Sequence, residues 1–374
     1  MTSIDEFIAR FEEEPGFLDF AHHGPVGTTV LEESSAMFAL QARSRFGSFG
    51  NLADQDSRVR AAVSAIIDFP ADRIVFQPNT SSGLMQVIFG LDGEVALSPG
   101  EFPSNTVAVV RAHEALAAVR PKWLETDHGR VTPGTVRRQL TKKTSAVVVS
   151  LVDFRTGALA DLEGIRQVIG DRLLIVDATQ GFTTVDAPYE FADVVVSGGQ
   201  KWVRAGWSTG FLAMSDRAIE RIRPVLSGFP GTDAEGMPLD EVPPPTHGVG
   251  AFVVSNPDPI AQARFAAALE EIAAVGVPVI AEHLAHRTSR VIDLADEFGI
   301  AVTSSRDEAE RAGIVVITPE PDQLTVLTAS LHNHGLTVTS RGGSVRISPH
   351  VTTEEETFSM LRAAFVSFAT AINV

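Results

Sequence analysis

The sequence predicts an α/β protein: a three-layer large domain built on a mostly parallel sheet with helices on both faces, followed by a smaller α+β domain at the C-terminal end. Three observations predict it. Short β-branched runs alternate with helical segments from about residue 73 to residue 214, the pattern of buried parallel strands covered on both faces. A Pro- and Gly-rich stretch over 227–250, SGFPGTDAEGMPLDEVPPPTHGVG, then breaks that rhythm. The length of 374 residues exceeds the size at which one hydrophobic core stops growing, so a second unit is expected.

Residues 53–68 (ADQDSRVRAAVSAIID) carry apolar positions at helical spacing; RIVFQ from Arg73 then forms a strand ending at Pro78, and a helix follows from about Ser82. Further strands fall at EVALS near 94, SAVVVSLV at 145–152, RLLIVDA at 172–178, ADVVVSGG at 192–199 and GFLAM at 210–214. The 227–250 stretch reads as an ordered functional loop, and beyond it an Ala-rich helix of about 20 residues begins near Ile260. From Gly299 the strands GIAVTS, GIVVITP, LTVTS and SVRIS intermix with two helical stretches. The expected division is an N-terminal segment 1–20 belonging to the small domain, a large domain 21–260, a linking helix 261–285 and the small domain 286–374.

Composition bounds the function. At 44% hydrophobic and 21% charged the chain sits among ordinary globular proteins. Its formal net charge of −17 argues against a nucleic-acid or anionic-membrane partner, because such binding rests on Lys and Arg meeting phosphates. The absence of cysteine is read as excluding disulfides, thiolate zinc sites, iron–sulfur clusters and any mechanism with a cysteine nucleophile. No metal site is assigned. The acidic N-terminus MTSIDEFIARFEEEPGF and the lack of an apolar run of roughly 20 residues point to a cytoplasmic protein.

Three clusters lie at strand ends, where open α/β sheets bind ligands. QPNTSSG at 77–83 sits between a strand and a helix, so its backbone N–H groups and the helix's positive end can hold a phosphate; taken alone, such a loop is more often a helix cap formed by Ser81 or Ser82. In LLIVDATQG, Asp177 ends an apolar strand, where a carboxylate can pair with a protonated ring nitrogen and Gln180 could reach a ring oxygen; capping of the next helix is an equal alternative. In VVVSGGQKWVRAGWSTGFL, Lys201 follows an apolar strand and a glycine pair, beside Trp202 and Trp207. A lysine partly desolvated there has a lowered pKa and can form an imine, whereas a surface lysine would sit in a more polar stretch.

These clusters, in this order and spacing, resemble pyridoxal 5′-phosphate (PLP) enzymes of fold type I, in the aminotransferase class V group that includes cysteine desulfurases, isopenicillin N epimerases and kynureninases. The resemblance runs over nearly the whole chain. It implies Lys201 as the Schiff-base lysine, Asp177 as the partner of the pyridine nitrogen, Gln180 as the contact to the ring hydroxyl, and Thr80, Ser81 and Gln200 as phosphate ligands. Phe102 in EFPSN falls where the group stacks a ring on the cofactor, though a Phe before Pro is also ordinary core filler. RGGSVRISPHV resembles the segment whose arginine binds the substrate carboxylate, which puts Arg346 in that role; an exposed strand-end arginine is the alternative, and a stronger one for Arg341. His22 and His23 in FAHHGPVG match a segment near the substrate, and His23 is carried as a substrate residue.

SLVDFRTGALADLEGI, SGFPG at 227–231 and SNP at 255–257 resemble kynureninase segments, which implies that Ser255 and Asn256 reach an active site of the partner subunit in a homodimer. Gly198, Phe229 and Asp153 depart from that pattern, where the family has Ser, Trp and Asn, so the phosphate grip and the substrate pocket are expected to differ. The reaction expected on an amino acid is Cβ-bond cleavage of the kynureninase or C–S lyase kind, with transamination or epimerisation as alternatives. A non-catalytic binding module is the alternative of another class. Without a cysteine, a cysteine-nucleophile desulfurase is expected to be excluded.

Overall fold

The structure, a computed structural model, describes residues 2–372 other than 46, 48, 127, 128, 235 and 237; the last two belong to the 227–250 loop, so that part of its reading lies outside the described residues. Among the described residues, seven strands form the main sheet: β1 (Ile74–Phe76), β2 (Glu94–Leu97), β3 (Arg120–Trp123), β4 (Thr144–Ser150), β5 (Leu173–Asp177), β6 (Val194–Gly198) and β7 (Gly210–Met214), in the order β1-β7-β6-β5-β4-β2-β3. Pairing is parallel from β3 through β6, and only β7 runs against its neighbours.

The alternation of side chains across a strand divides the sheet's residues between two cores. Val147, Val149, Leu174, Val176 and Phe211 face one layer, with Val63 of helix Gln55–Ile67, Ile165 of helix Leu162–Ile169 and Leu269 of helix Pro259–Val275. Val148, Leu173, Ile175, Val196 and Leu212 face the other, with Leu84 and Val87 of helix Thr80–Phe89 and Val109 of helix Pro103–Glu114. The result is the three-layer α/β architecture that the strand runs predict.

The second sheet, β8 (Val315–Ile317), β9 (Thr339–Arg341) and β10 (Ser344–Ile347), is antiparallel in the order β8-β10-β9. Its core joins Val345 and Ile347 to Leu327, Leu361, Phe365 and Val291. The N-terminal segment divides between the cores: Phe7 packs with the main sheet's core and Leu18 with the small one, where Phe17 and Asp19 bridge to Thr337 and Ser348.

Two local expectations differ, and one strand was not expected. The linking helix is two helices, Pro259–Val275 and Val277–Glu297, separated at Gly276 with φ +97, a left-handed conformation that ends a helix at little cost only for glycine. GIAVTS contributes a single bridge, Val302 to Ile317, in place of a strand. β3, with the sequence RPKW, was not foreseen; it lies at the sheet edge, the one place where the missing N–H of Pro121 is tolerated. No helix among the described residues is long and apolar enough to cross a membrane.

Candidate active site

A cavity of about 350 Å³ opens where the main sheet's parallel strands end. Ser150 closes β4 and Asp177 closes β5, paired in register, while Thr80 and Ser81 follow β1, Phe102 follows β2, and Gln200 and Lys201 follow β6. All seven line the cavity. The strand-end clusters of the sequence therefore meet in one place.

Asp177 is buried and its carboxylate is held at both oxygens: Asn105 Nδ2 donates to Oδ2 and the Thr179 amide to Oδ1, each at 3.0 Å. Lys201 is also buried, at 8% exposure. Burial pushes its ammonium down to about 8; Arg346 and Arg341 add to the push, while Asp177 and Asp19 oppose it. Lys201 Nζ lies 5.3 Å from the Phe102 ring centroid, and Phe102 packs edge-on against Phe154 with centroids 5.2 Å apart. Gln180 lines the cavity with its carboxamide fixed, Nε2 donating to Ala21 O at 2.8 Å and Oε1 accepting from Trp202 Nε1 at 2.9 Å.

At the other end, helix Thr80–Phe89 points its N-terminus at the cavity. Asn79 caps it by accepting from the Ser82 amide at 2.9 Å, and the N–H groups that open a helix have no partners within it. Thr80 Oγ1 lies 2.7 Å from Thr179 Oγ1, and Ser81 Oγ lies 2.7 Å from Ser104 Oγ. At Gly198, where the resembled group has serine, a Cβ would meet Gln200 Oε1 at 2.5 Å and Thr80 Oγ1 at 3.0 Å, so a side chain there would have to displace the Gln200 carboxamide. The Gln200 carboxamide fills the space that serine would take.

Arg346 lines the cavity from β10, its Nη2 3.3 Å from Asp19 Oδ1 and 3.3 Å from Thr339 Oγ1. His22 lines it; His23 does not, and stacks instead on Trp207 with centroids 5.3 Å apart and planes 5° from parallel. Ser255 and Asn256 line a separate groove of about 1070 Å³ beside Gln77 and Phe252, so within one chain they do not meet Lys201.

Sequence reasoning passed over Asn105, Thr179, Ser150 and Glu101. Asn105 had a signal: it is three residues past Phe102, on the same face of helix Pro103–Glu114. Glu101 accepts from the Ser150 amide at 3.1 Å and hydroxyl at 2.5 Å. Burial pushes its carboxyl up to about 7 against those hydrogen bonds, with Asp177 and Asp153 adding to the push.

The lining fits PLP. A buried lysine and a buried, doubly supported carboxylate flank an aromatic face, and a helix N-terminus with hydroxyl and carboxamide groups lies beyond them. Lys201 could hold the aldehyde carbon, Asp177 the ring nitrogen, and Thr80, Ser81 and Gln200 the phosphate.

Comparison with known proteins agrees. The family model described as Aminotransferase class-V matches residues 24–374. A curated relative from Mycobacterium tuberculosis, named probable hercynylcysteine sulfoxide lyase, is 27% identical over 83% of this chain and 79% of its own. Another, from Pyrococcus abyssi, is named probable cysteine desulfurase and is 25% identical over 78% of each chain. Among solved structures, a cysteine desulfurase from Thermococcus onnurineus NA1 superposes with a TM-score of 0.85 at 19% identity, covering 96% of this chain and 95% of that one. The cystine C–S lyase C-DES, in complex with its product cysteine persulfide, gives 0.84 at 18%, covering 94% and 97%.

The expected exclusion of the cysteine-nucleophile desulfurases is corrected by these findings. A relative matching most of the chain carries the desulfurase name. The absence of cysteine describes which nucleophiles the chain carries, whereas kinship resides in the scaffold and the strand-end clusters. With the match spanning residues 24–374, the chain belongs to the aminotransferase class-V family, and its cofactor is pyridoxal 5′-phosphate.

Proposed function

We propose that the protein is a lyase that cleaves the Cβ–S bond of a cysteine-derived amino acid. The observation that carries this reading is the relative covering 83% of the chain, which is named for a lyase acting on a cysteine sulfoxide, taken together with Lys201, Asp177 and Arg346 lining one cavity. The C–S lyase of the same fold supports it.

PLP supplies a sink for the electron pair left when a bond at the substrate Cα breaks. Lys201 would hold the cofactor at Nζ, and the same Nζ, with its lowered pKa, is the base placed to take the Cα proton. Asp177 would pair with the ring nitrogen, and Asn105 and Thr179 orient its carboxylate by donating to it. Phe102 would pack on the ring, Gln180 would meet its hydroxyl, and Arg346 would hold the substrate carboxylate. Ser255 and Asn256 would serve the cavity of a second copy, so we propose a homodimer, which light scattering tests by mass.

Incubating the holoenzyme with S-substituted cysteines and their sulfoxides tests the reaction. Cleavage releases pyruvate and ammonia in equal amounts, together with the sulfur-borne fragment. An oxo acid that keeps its side chain would favour transamination, the second reading that the family's description supports; an enantiomer with no bond lost beyond Cα would favour epimerisation.

A further inference from the structure

β9 and β10 form a hairpin in which Arg341 stands opposite Ser344 and Arg346 opposite Thr339. Residues two apart on a strand share a face, and so do directly opposed residues of an antiparallel pair. Arg341 and Arg346 therefore project from the same face at diagonal positions, where residues stand roughly 7–8 Å apart and their Cβ atoms somewhat closer. Both line the Lys201 cavity.

Their partners differ. Arg346 has Asp19 and Thr339. Arg341 has no carboxylate among the described residues; its guanidinium carbon lies 6.0 Å from the Phe154 ring centroid. In a chain with 47 acidic and 30 basic side chains, carboxylates are plentiful, and the nearby Arg155 has one in Asp153. A cation without a counter-ion, beside a second arginine and a buried lysine, makes the outer part of the cavity attractive to an anion. Its field reaches inward, since Arg341 is among the charges that lower both Lys201 and Arg346.

We propose that the substrate carries two anionic groups: the α-carboxylate, held by Arg346, and a second anion on the fragment beyond Cβ, held by Arg341. The inference rests on the placement of the α-carboxylate at Arg346 made above. It narrows the substrate to cysteine derivatives whose sulfur-borne fragment is itself an acid, and the fragment would leave with that charge.

Adipate and its monoamide, adipamate, have the same length and differ in one charge, so calorimetric titration of the holoenzyme with both isolates the second anion. Adipate binds about tenfold tighter or more, equivalent to about 1.4 kcal/mol. Arg341→Gln removes that preference, weakening adipate about tenfold more than adipamate, whereas Arg346→Gln weakens both ligands. Equal affinities in the wild type, a preference that survives Arg341→Gln, or adipate that fails to bind overturns the second anion site. Adipamate binding untouched by Arg346→Gln overturns instead the α-carboxylate placement beneath it.

Discussion

Arg204, three residues past Lys201, forks onto Glu13 across 191 positions of sequence, Nη1 lying 3.0 Å from Oε1 and Nη2 2.5 Å from Oε2. Arg204 is 1% exposed with φ +61. It also donates to Thr352 Oγ1 at 2.9 Å and covers the Phe11 ring at 3.8 Å. One guanidinium thus ties the lysine loop to both ends of the chain. Removing one partner of a buried pair strands the other charge, so Glu13→Gln is expected to lower unfolding stability by about 3–5 kcal/mol. Urea unfolding curves measure this, and a loss under about 1 kcal/mol would place the pair with ordinary surface bridges.

Lys201→Ala is expected to abolish covalent cofactor attachment, read as loss of the visible absorption band that borohydride removes from the wild type. Without its buried amine the apoprotein is also expected to be more stable at pH 7. The sign follows from the lowered pKa: the charged amine costs stability below about 8, and that cost fades as pH rises toward the unfolded value. Thermal melts of the two apoproteins at pH 7 test this, and a lower Tm in the variant would contradict it.

Attachment of PLP to the wild-type apoprotein should quicken with pH, about tenfold per unit up to about 8 and little beyond. At pH 7 the neutral amine is about 300-fold more abundant than for a lysine at its ordinary value of 10.5. Stopped-flow absorbance gives the profile; a rate still climbing tenfold per unit at pH 9 would mean that Lys201 titrates as a solvated amine.

Asn105→Ala removes one of the two donors to Asp177. A hydrogen bond to a charged group contributes about 1.5–3 kcal/mol, so kcat should fall roughly 10- to 100-fold while the visible band persists. A variant that loses the band outright would make Asn105 a cofactor-retention residue.

Glu101→Gln should stabilise the protein above neutral pH and leave it unchanged near pH 4. A carboxyl raised from 4.5 to about 7 binds more protons folded than unfolded across that window, so its cost appears as pH rises through it and is complete above about 7. The amide oxygen can keep both Ser150 donors. Denaturant midpoints at pH 4 and pH 8 check the pattern, and equal shifts at both would exclude titration of Glu101 as the cause.

What the sequence made legible was the chemistry carried at strand ends. Lys201, Asp177 and Thr80 each follow a β-branched run, and in an open sheet such ends converge whatever lies between them. What it hid depends on contacts between distant segments. Asn105 meets Asp177 across 72 positions; its spacing from Phe102 marks the helix face it shares but not the carboxylate it meets. Arg341 reads as a strand-end arginine until the β9–β10 register turns it to the side of Arg346. Ser255 and Asn256 could be tied to a loop by motif, but which cavity that loop lines is a matter of packing. GIAVTS has strand composition, yet it meets β8 only through the Val302–Ile317 bridge and the flanking amide bonds of Thr303 and Thr318, a case of pairing deciding where propensity does not.

β7 lies between β1 and β6, so Ile74–Phe76 waits for a partner about 140 residues further along the chain. A nascent chain that has reached Lys201 holds the lysine, Asp177 and the Thr80 helix, yet β1 and β6 have nothing between them until Gly210–Met214 is made. Until then the valine-rich edge of β6 is an open template for other chains. Synthesis order therefore sets when the cavity can first close: premature termination anywhere between Lys201 and Met214 yields the residues proposed to hold the cofactor without the sheet that gathers them, together with an edge that invites aggregation.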